Sequence, residues 1–405
     1  MVVVAQLGAR MHYAVPAILA RSGMLERLYT DTYAPRLPEP LRGLASRFGP
    51  APLRRLLGRV PVGIPEEKIV SFCTMGVETY RRRTRALARG TATAVDLWAG
   101  QELCRRAIQR GLGKADCVFT YNSAGLELMR YAHSLGARTV MEQTVAPAEV
   151  LDTTIETEQS LHPNWECPRS KDPFRSEFSR REGMEWEAAD LILCGSEFVR
   201  ESIRASRGPV ERCHVVPYGV NLPFSVVRSD VRRRLRVLIV GAVGLRKGAP
   251  YVLAAARTLN GKAEFRMAGQ LDVTPYAQKL LGEHITLLGP VPRPEIHRQF
   301  AWADVFLLPS LCEGSATVCY EALAHGLPVI TTSNAGSVVR DGRDGFIVPI
   351  RDAVAIADRV ERLAGDEDLW AEMSANARLR AADYSLEKYG ERLLHALTDA
   401  GLTAS

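Results

Sequence analysis

Short apolar runs recur along the chain, each closed by a glycine-bearing turn and followed by a stretch of helical periodicity. Val2–Gln6 (VVVAQ) leads through Gly8 into a predicted helix over 13–22 that stops at Gly23. The runs DCVFT (116–120), ARTVM (137–141), DLILC (190–194) and HVVP (214–217) repeat the unit, and the last ends in YGVN (218–221). Ser196 is placed to cap a helix over Glu197–Ala205, while residues 152–186 are polar, acidic and helical in pattern. Apolar runs of four or five residues between turns suit fully buried parallel strands, and the helical stretches between them are crossover connections.

Periodicity is lost over the arginine-rich residues 222–235, and then the pattern starts again. VLIVGAVGLRKGAPYVLAAARTL (237–259) mirrors the opening of the chain, with further strands expected at 264–267, 284–288, 305–308, 329–330 and 345–348. Helices are expected over 353–364, 368–381 and 386–399. Two strand-turn-helix starts predict an α/β protein of two Rossmann-like doubly wound domains facing across a cleft. The expected division is 1–221, a linker 222–235, a second domain 236–385, and a C-terminal helix in 386–405 that packs back on the first domain.

Within the second domain the segment VFLLPSLCEGSATVCYEALAHGLPVITT (305–332) reads as strand, loop, helix, strand. Ser315 or Thr317 is expected to cap the helix, with Val318, Leu323 and Ala324 on one face and Gly326 as the stop. Glu313 precedes the helix and Glu321 lies inside it. A helix N-terminus offers unpaired N–H groups and the positive end of a dipole, which suits a phosphate. A carboxylate two turns on can accept from sugar hydroxyls. The turn from Gly241 through Gly244 to Arg246, Lys247 and Gly248 brings two adjacent cations to the same sheet edge, where they could neutralise a diphosphate leaving group or simply be a surface pair. It is neither GxGxxG nor a Walker loop, so a nicotinamide site is not indicated. The turns at Gly269, at 289–293 and at 334–337 fall at that edge too. In the first domain, Gly8 and His12 lie where a substrate would meet the strand ends, against the plain alternatives of a tight turn and an ordinary polar histidine.

Charge adds one asymmetry. The formal net charge is +6, yet residues 1–100 alone carry 15 Lys/Arg against 7 Asp/Glu. Leucines and arginines alternate through residues 34–68, and Arg81, Arg82, Arg83, Arg85 and Arg89 follow. Such segments can lie on an anionic membrane surface, the alternative being solvated helices packed on the domain. No nucleic-acid motif is present. Eight cysteines without a CxxC pair indicate neither zinc nor a dithiol centre, so no metal ligands are expected. The chain opens on a strand rather than a signal peptide and has no membrane-spanning run, which points to the cytoplasm, with a peripheral position at the inner face of the membrane raised by the basic segments.

These residues together resemble a known family. VVPYGVN (215–221), VGAVGLRKG (240–248), GPVPRPEI (289–296), SLCEGSATVCYEALAHGLPVI (310–330) and NAGSVVRDGRDGFIV (334–348) resemble the retaining glycosyltransferases of family 4, with the GT-B fold. The resemblance covers most of the second domain, whereas the first matches only in outline, at Gly8 and in ADLILCGSEFV (189–199). It implies a hexose transferred from a nucleotide diphosphate sugar to an acceptor hydroxyl, with retention and without a metal or other cofactor. Glu313, Lys247 and Arg246 are placed by it at the reacting centre and diphosphate. Glu321, Gly314, Ser315, Thr317, Val318, Gly244, Val291 and Arg293 are placed along the donor. A glycan or lipid-linked acceptor would face Gly8, His12 and Glu142. Where the family often has a histidine, this chain has Glu142, which could bind an acceptor hydroxyl, act as a base or serve as a cap. A sugar epimerase, a phosphorylase and a non-catalytic nucleotide-sugar-binding protein are the competing readings.

Overall fold

The computed structural model describes residues 1–34, 59–87, 90–168, 172–221 and 234–402. Two parallel sheets carry the chain. The first has seven strands in the order β3-β2-β1-β4-β5-β6-β7: β1 Val2–Gln6, β2 Leu25–Thr30, β3 Ile69–Ser71, β4 Cys117–Tyr121, β5 Arg138–Gln143, β6 Leu191–Cys194 and β7 Cys213–Val215. The second has six, ordered β10-β9-β8-β11-β12-β13: β8 Leu235–Val240, β9 Ala263–Ala268, β10 Ile285–Gly289, β11 Val305–Leu308, β12 Val329–Thr331 and β13 Gly345–Ile347. Every pairing is parallel. The central strands β1, β4 and β11 are buried at every position, as strands covered on both faces must be. The strand order reverses between β1 and β4, and again between β8 and β11. Each reversal opens a crevice at the carboxyl ends of its strands, which is where open α/β sheets bind ligands.

The sequence pattern of apolar runs is thus realised as two doubly wound domains, with three local differences. The first helix spans Ala14–Arg21 and not 13–22, because Met11, His12 and Tyr13 take left-handed conformations with φ of 42°, 53° and 63°. The helix Thr317–Ala324 has Ala316 at its N-cap and no side-chain capping bond. Ser315 turns away from that role, its Oγ lying 2.8 Å from Tyr320 Oη. Its buried face is Cys319, Tyr320, Ala322 and Leu323, so Val318 and Ala324 are only partly covered. The strands β2 (LERLYT) and β3 (IVS) have no clear apolar signature.

The domains are joined by more than the segment between them. Helix Leu386–Asp399 returns to the first domain, where Arg392 Nη2 donates to the carbonyls of Pro217 (3.1 Å) and Tyr218 (3.3 Å). The Tyr389 and Tyr218 rings meet edge to face at 6.0 Å, and a single apolar cluster runs from Phe119 and Val140 through Tyr218, Tyr389 and Leu393 to Phe306 and Leu323. In the other direction, helix Ala148–Leu161 sends a fully buried Glu158 to the second domain. It accepts from Tyr251 Oη at 2.8 Å and pairs with Arg351 Nε at 2.5 Å. Trp165 enters the second domain's core, and its carbonyl accepts from Thr274 N at 2.8 Å.

The two domains come close at Gly314. A Cβ there would lie 1.9 Å from the carbonyl oxygen of Thr144, and Ser196 Oγ donates to the Gly314 carbonyl at 2.5 Å. Alanine at Gly314 must push a backbone atom of the other domain away. Overpacking of this kind costs about 1–3 kcal/mol, so Gly314→Ala is expected to lower the melting temperature. Gly282→Ala, at a helix end where a Cβ meets nothing within 4 Å, should not lower it in the same calorimetric scan.

Candidate functional site

A cavity of about 730 Å³ opens at the carboxyl ends of β8, β9 and β10 and is closed from the first domain by Met11 and His12. Its wall includes Gly241, Gly269, Val291, Thr317, Glu321 and His297. The floor depends on two glycines. Gly269 has φ 156°, and a Cβ on it would strike the Gly241 carbonyl at 1.8 Å, so backbone alone can fit there and leave room for a ligand. Thr317 starts the helix that no side chain caps, and Glu321 stands one turn further on in the same wall. Unfilled N–H groups at a helix start beside a carboxylate give one anion-binding and one hydroxyl-binding position in one cavity.

Behind this wall lies the charge cluster. Arg246 and Lys247 sit in the short 3-10 turn Leu245–Lys247, which leaves Gly244 in extended backbone and closes at Gly248 with φ 74°. The Arg246 Nη1 and Lys247 Nζ both reach Glu313 Oε1, at 2.6 and 2.7 Å. Arg246 also donates to the Cys312 carbonyl at 3.2 Å. Lys247 is 12% exposed, and its Nζ is 3.5 Å from the place a Cβ on Gly241 would take, so the ammonium abuts the cavity wall. Burial and the nearby Glu313 carboxylate push the Cys312 thiol up to about 12, so it stays a neutral neighbour of the cluster. The turn is fixed from across the domain boundary, where Glu166 Oε1 accepts from Leu245 N at 2.6 Å. The Glu313 loop is fixed in the same way, by Ala146 N donating to the Glu313 carbonyl at 3.2 Å. Among the described residues, no three His, Cys, Asp or Glu side chains are gathered in a metal-holding group.

Two features of the cavity have no obvious signal in the sequence. His325 Nδ1 lies 2.7 Å from the Glu321 carbonyl and His325 Nε2 lies 3.2 Å from His297 Nδ1. A carbonyl only accepts, so His325 Nδ1 carries a proton; in the neutral pair His297 then donates from Nδ1 and keeps Nε2 as an acceptor. The ring of His325 is buried against Phe300 at 4.7 Å. Gln270 and Asn221 complete the polar lining.

A second cavity, of about 660 Å³, lies at the carboxyl ends of β1 and β2 in the first domain. Gly8, Arg10, Asp31, Arg59, Arg83 and Asp96 line it, with Tyr80 exposed beside them. Asp31 accepts from Gly8 N at 2.8 Å and Arg59 Nη1 at 3.1 Å. Arg83 pairs with Asp96, whose carboxyl burial raises above its usual range. The loop 8–13 therefore separates the cavities: Gly8 and Arg10 face the second, Met11 and His12 the first. Left-handed non-glycine residues cost of order 1 kcal/mol each and persist only where the surroundings enforce them. Three in a row at this partition mark the place where the two cavities meet.

The residues singled out from the sequence divide accordingly. Glu321, Thr317 and Val291 line the first cavity, Lys247 lies behind its wall with Arg246 and Glu313, and Gly244, Gly314 and Ser315 are not among the lining residues. Val318 follows Thr317 in the first helical turn, while the Arg293 side chain lies outside the described residues. Of the acceptor-side expectations, Gly8 lines the second cavity but His12 lines the first. Glu142, read from the sequence as an acceptor contact, a base or a cap, lines neither cavity. It is 3% exposed at the end of β5, it accepts from Tyr218 Oη at 2.7 Å, and burial raises its carboxyl to about 7. The leucine- and arginine-rich residues 35–58 and Arg89 lie outside the described residues. Arg81, Arg82, Arg83 and Arg85 are exposed on helix Cys73–Leu87.

Comparison with known proteins agrees with this geometry. The profile of the family described as glycosyl transferases group 1 matches residues 234–366. Alpha-D-kanosaminyltransferase of Streptomyces kanamyceticus is 28% identical over 266 residues, which is 60% of this chain and 68% of that protein. The amylovoran biosynthesis glycosyltransferase AmsK of Erwinia amylovora is 30% identical over 196 residues, 44% of this chain and 48% of that protein. The matched part thus spans about half to two thirds of these relatives. Among solved structures, Anabaena HepE in complex with UDP superposes with a TM-score of 0.63 at 13% identity, covering 98% of this chain and 99% of that one. Residues 234–366 thus carry the match to the glycosyl transferases of group 1, and the two domains together have the GT-B fold.

Proposed function

We propose that the chain is a retaining glycosyltransferase that moves a hexose from a nucleotide diphosphate sugar to an acceptor hydroxyl without a metal ion. One observation carries the reading. An uncapped helix N-terminus and the Glu321 carboxylate share one cavity that the first domain closes, with the half-buried Arg246–Lys247–Glu313 cluster behind its wall. In this reading the nucleoside occupies the wall of Val291, Ile296 and His297, and its ribose hydroxyls donate to Glu321. The diphosphate lies between the first helical turn and Lys247. When the bond from the anomeric carbon to the diphosphate oxygen breaks, the charge left on the diphosphate falls beside cations that were fixed beforehand. Such preorganised charge is the largest contribution available to a group-transfer site of this kind. Glu313 holds both cations and stands next to the donor sugar. The new bond forms from the acceptor oxygen, entering from the side of the first domain past the loop 8–13, and the hydroxyl's proton passes to the departing diphosphate oxygen.

The acceptor reading is a glycan or lipid-linked precursor, met at the inner face of an anionic membrane. Exposed Val77, Tyr80, Arg81 and Arg85 on helix Cys73–Leu87 support it, since apolar and cationic side chains together suit such a surface. No helix among the described residues is long and apolar enough to cross a membrane.

A thermal-shift panel of nucleotide sugars tests the donor reading. A true donor at ~100 times its dissociation constant stabilises by about 2.7 kcal/mol. Glu321→Ala removes a charged hydrogen-bond acceptor worth about 1.5–3 kcal/mol, so its dissociation constant for the same donor is expected to rise at least about ten-fold while the melting temperature without donor is kept. Wild-type affinity in Glu321→Ala would remove Glu321 from the donor site.

A further inference from the structure

The second cavity has a charge imbalance that its own side chains do not resolve. Three guanidinium groups line it, from Arg10, Arg59 and Arg83, against two carboxylates, Asp31 and Asp96. Asp31 is used by Arg59, by Gly8 N and, at 3.3 Å, by Thr30 Oγ1; Asp96 is used by Arg83. Arg10 has no carboxylate contact among the described residues. Its hydrogen bond goes to the neutral Thr144 Oγ1 at 3.0 Å, and Thr144 in turn donates to Asn122 Oδ1 at 2.8 Å. The field of Glu142 also reaches Arg10, but burial raises that carboxyl to about 7, so it is only partly ionised around neutral pH, and it already accepts from Tyr218. Arg10 is only partly buried, so it has neither full solvent nor a counter-ion. A guanidinium in that position presents a fork of donors matched to the oxygens of a phosphate or carboxylate.

Its place in the fold gives the group a purpose. Arg10 is two residues from His12 in the partition loop, so a ligand anchored on Arg10 in the second cavity reaches the edge of the first. We propose that the second cavity binds an anionic acceptor, with Arg10 as the anchor for its phosphate or carboxylate group and Arg59 and Arg83 beside it. This rests on the donor reading above for the direction of transfer, but the anion site stands on its own residues. Tyr80 at the mouth offers a ring face to the acceptor's sugar, and the remaining lone pairs of Asp31 and Asp96 can accept from its hydroxyls.

The test uses the full chain with inorganic phosphate as the probe, titrated by calorimetry in saturating UDP so that the first cavity is filled. Saturable binding is expected, weakened at least about ten-fold in Arg10→Gln, retained in part in Arg10→Lys, and unchanged in Arg298→Gln, an exposed arginine elsewhere. Absence of phosphate binding, or equal binding by Arg10→Gln, would overturn the proposal. Failure of UDP to bind would count against the donor reading alone, and the phosphate titration could still be read without it. Vesicles of phosphatidylcholine with and without phosphatidic acid separate the sources. Arg10-dependent retention on the phosphatidic acid vesicles assigns the anion to a lipid-borne acceptor. Binding of free phosphate without such retention assigns it to a soluble one.

Discussion

Lys247→Ala is expected to lose two to three orders of magnitude in kcat, with donor affinity changed little and the fold kept. Removing one preorganised donor from a site of developing charge costs about 3–4 kcal/mol of transition-state stabilisation. Lys247 is suited to a cost of that size because it is shielded: its side chain is 12% exposed and its ammonium rests on Glu313 at 2.7 Å, so solvent screening is weak. In the proposed donor complex the diphosphate is already held by helix N–H groups and Arg246, so the ammonium's largest contribution would come when the anomeric bond breaks. The fold survives because Glu313 keeps its contact with Arg246 at 2.6 Å and is not left as an unpaired buried carboxylate. Steady-state kinetics with UDP binding in parallel checks both halves. A kcat within a few-fold of wild type would move the leaving-group role away from Lys247, and an equal rise in KM and UDP dissociation constant would make it a ground-state contact instead.

How much of this was legible in the sequence depended on how local the cause was. Runs such as VFLL and LRVLIV are buried on both faces, so apolar character alone marks them as strands. β2 escapes because Glu26 and Arg27 interrupt it; only its second half is continuously buried. The 317–324 helix was readable by its glycine stop and apolar content, but not its cap, because Ser315 is drawn to Tyr320 by packing that follows from the fold. Likewise the left-handed Met11, His12 and Tyr13 carry no glycine to announce them. The proposed donor residues were legible as a group because one strand-loop-helix unit holds Glu313, Thr317 and Glu321 in sequence. The second cavity was not, because Arg10, Asp31, Arg59, Arg83 and Asp96 come from separate elements and meet only when the sheet is assembled. Glu158 and Glu166 are similar: nothing in a polar helical stretch says that one carboxylate will be buried beneath Arg351 and another will hold the turn before Lys247.

Glu142→Gln is expected to flatten the pH dependence of stability and to raise stability above pH 7, and the sign follows from the burial. Desolvation is the main cause of the raised carboxyl, opposed by the Tyr218 hydrogen bond and by Arg10, and the result is about 7 against an ordinary 4.5. Between those two values the folded protein retains a proton that the unfolded chain has released. Stability therefore falls as pH rises through that window, by about 3 kcal/mol in all, and is fully retained only below pH 4.5. Glu185, also buried and raised to about 7, contributes a slope of the same sign. Glutamine at 142 keeps an oxygen for Tyr218 Oη and has no charge to desolvate, so the variant should lose the Glu142 part of the fall and keep the part owed to Glu185 and the other raised carboxyls. Melting temperatures from pH 5 to 8 measure this directly, and an unchanged slope would mean that Glu142 is ionised in the folded state. The same variant decides what the residue does in catalysis. A base for the acceptor hydroxyl would have to reach the partition loop, and its loss would remove most of kcat. A carboxyl 3% exposed, bound to Tyr218 and outside both cavities, cannot reach that oxygen, so kcat of Glu142→Gln is expected to stay within a few-fold of wild type at pH 7.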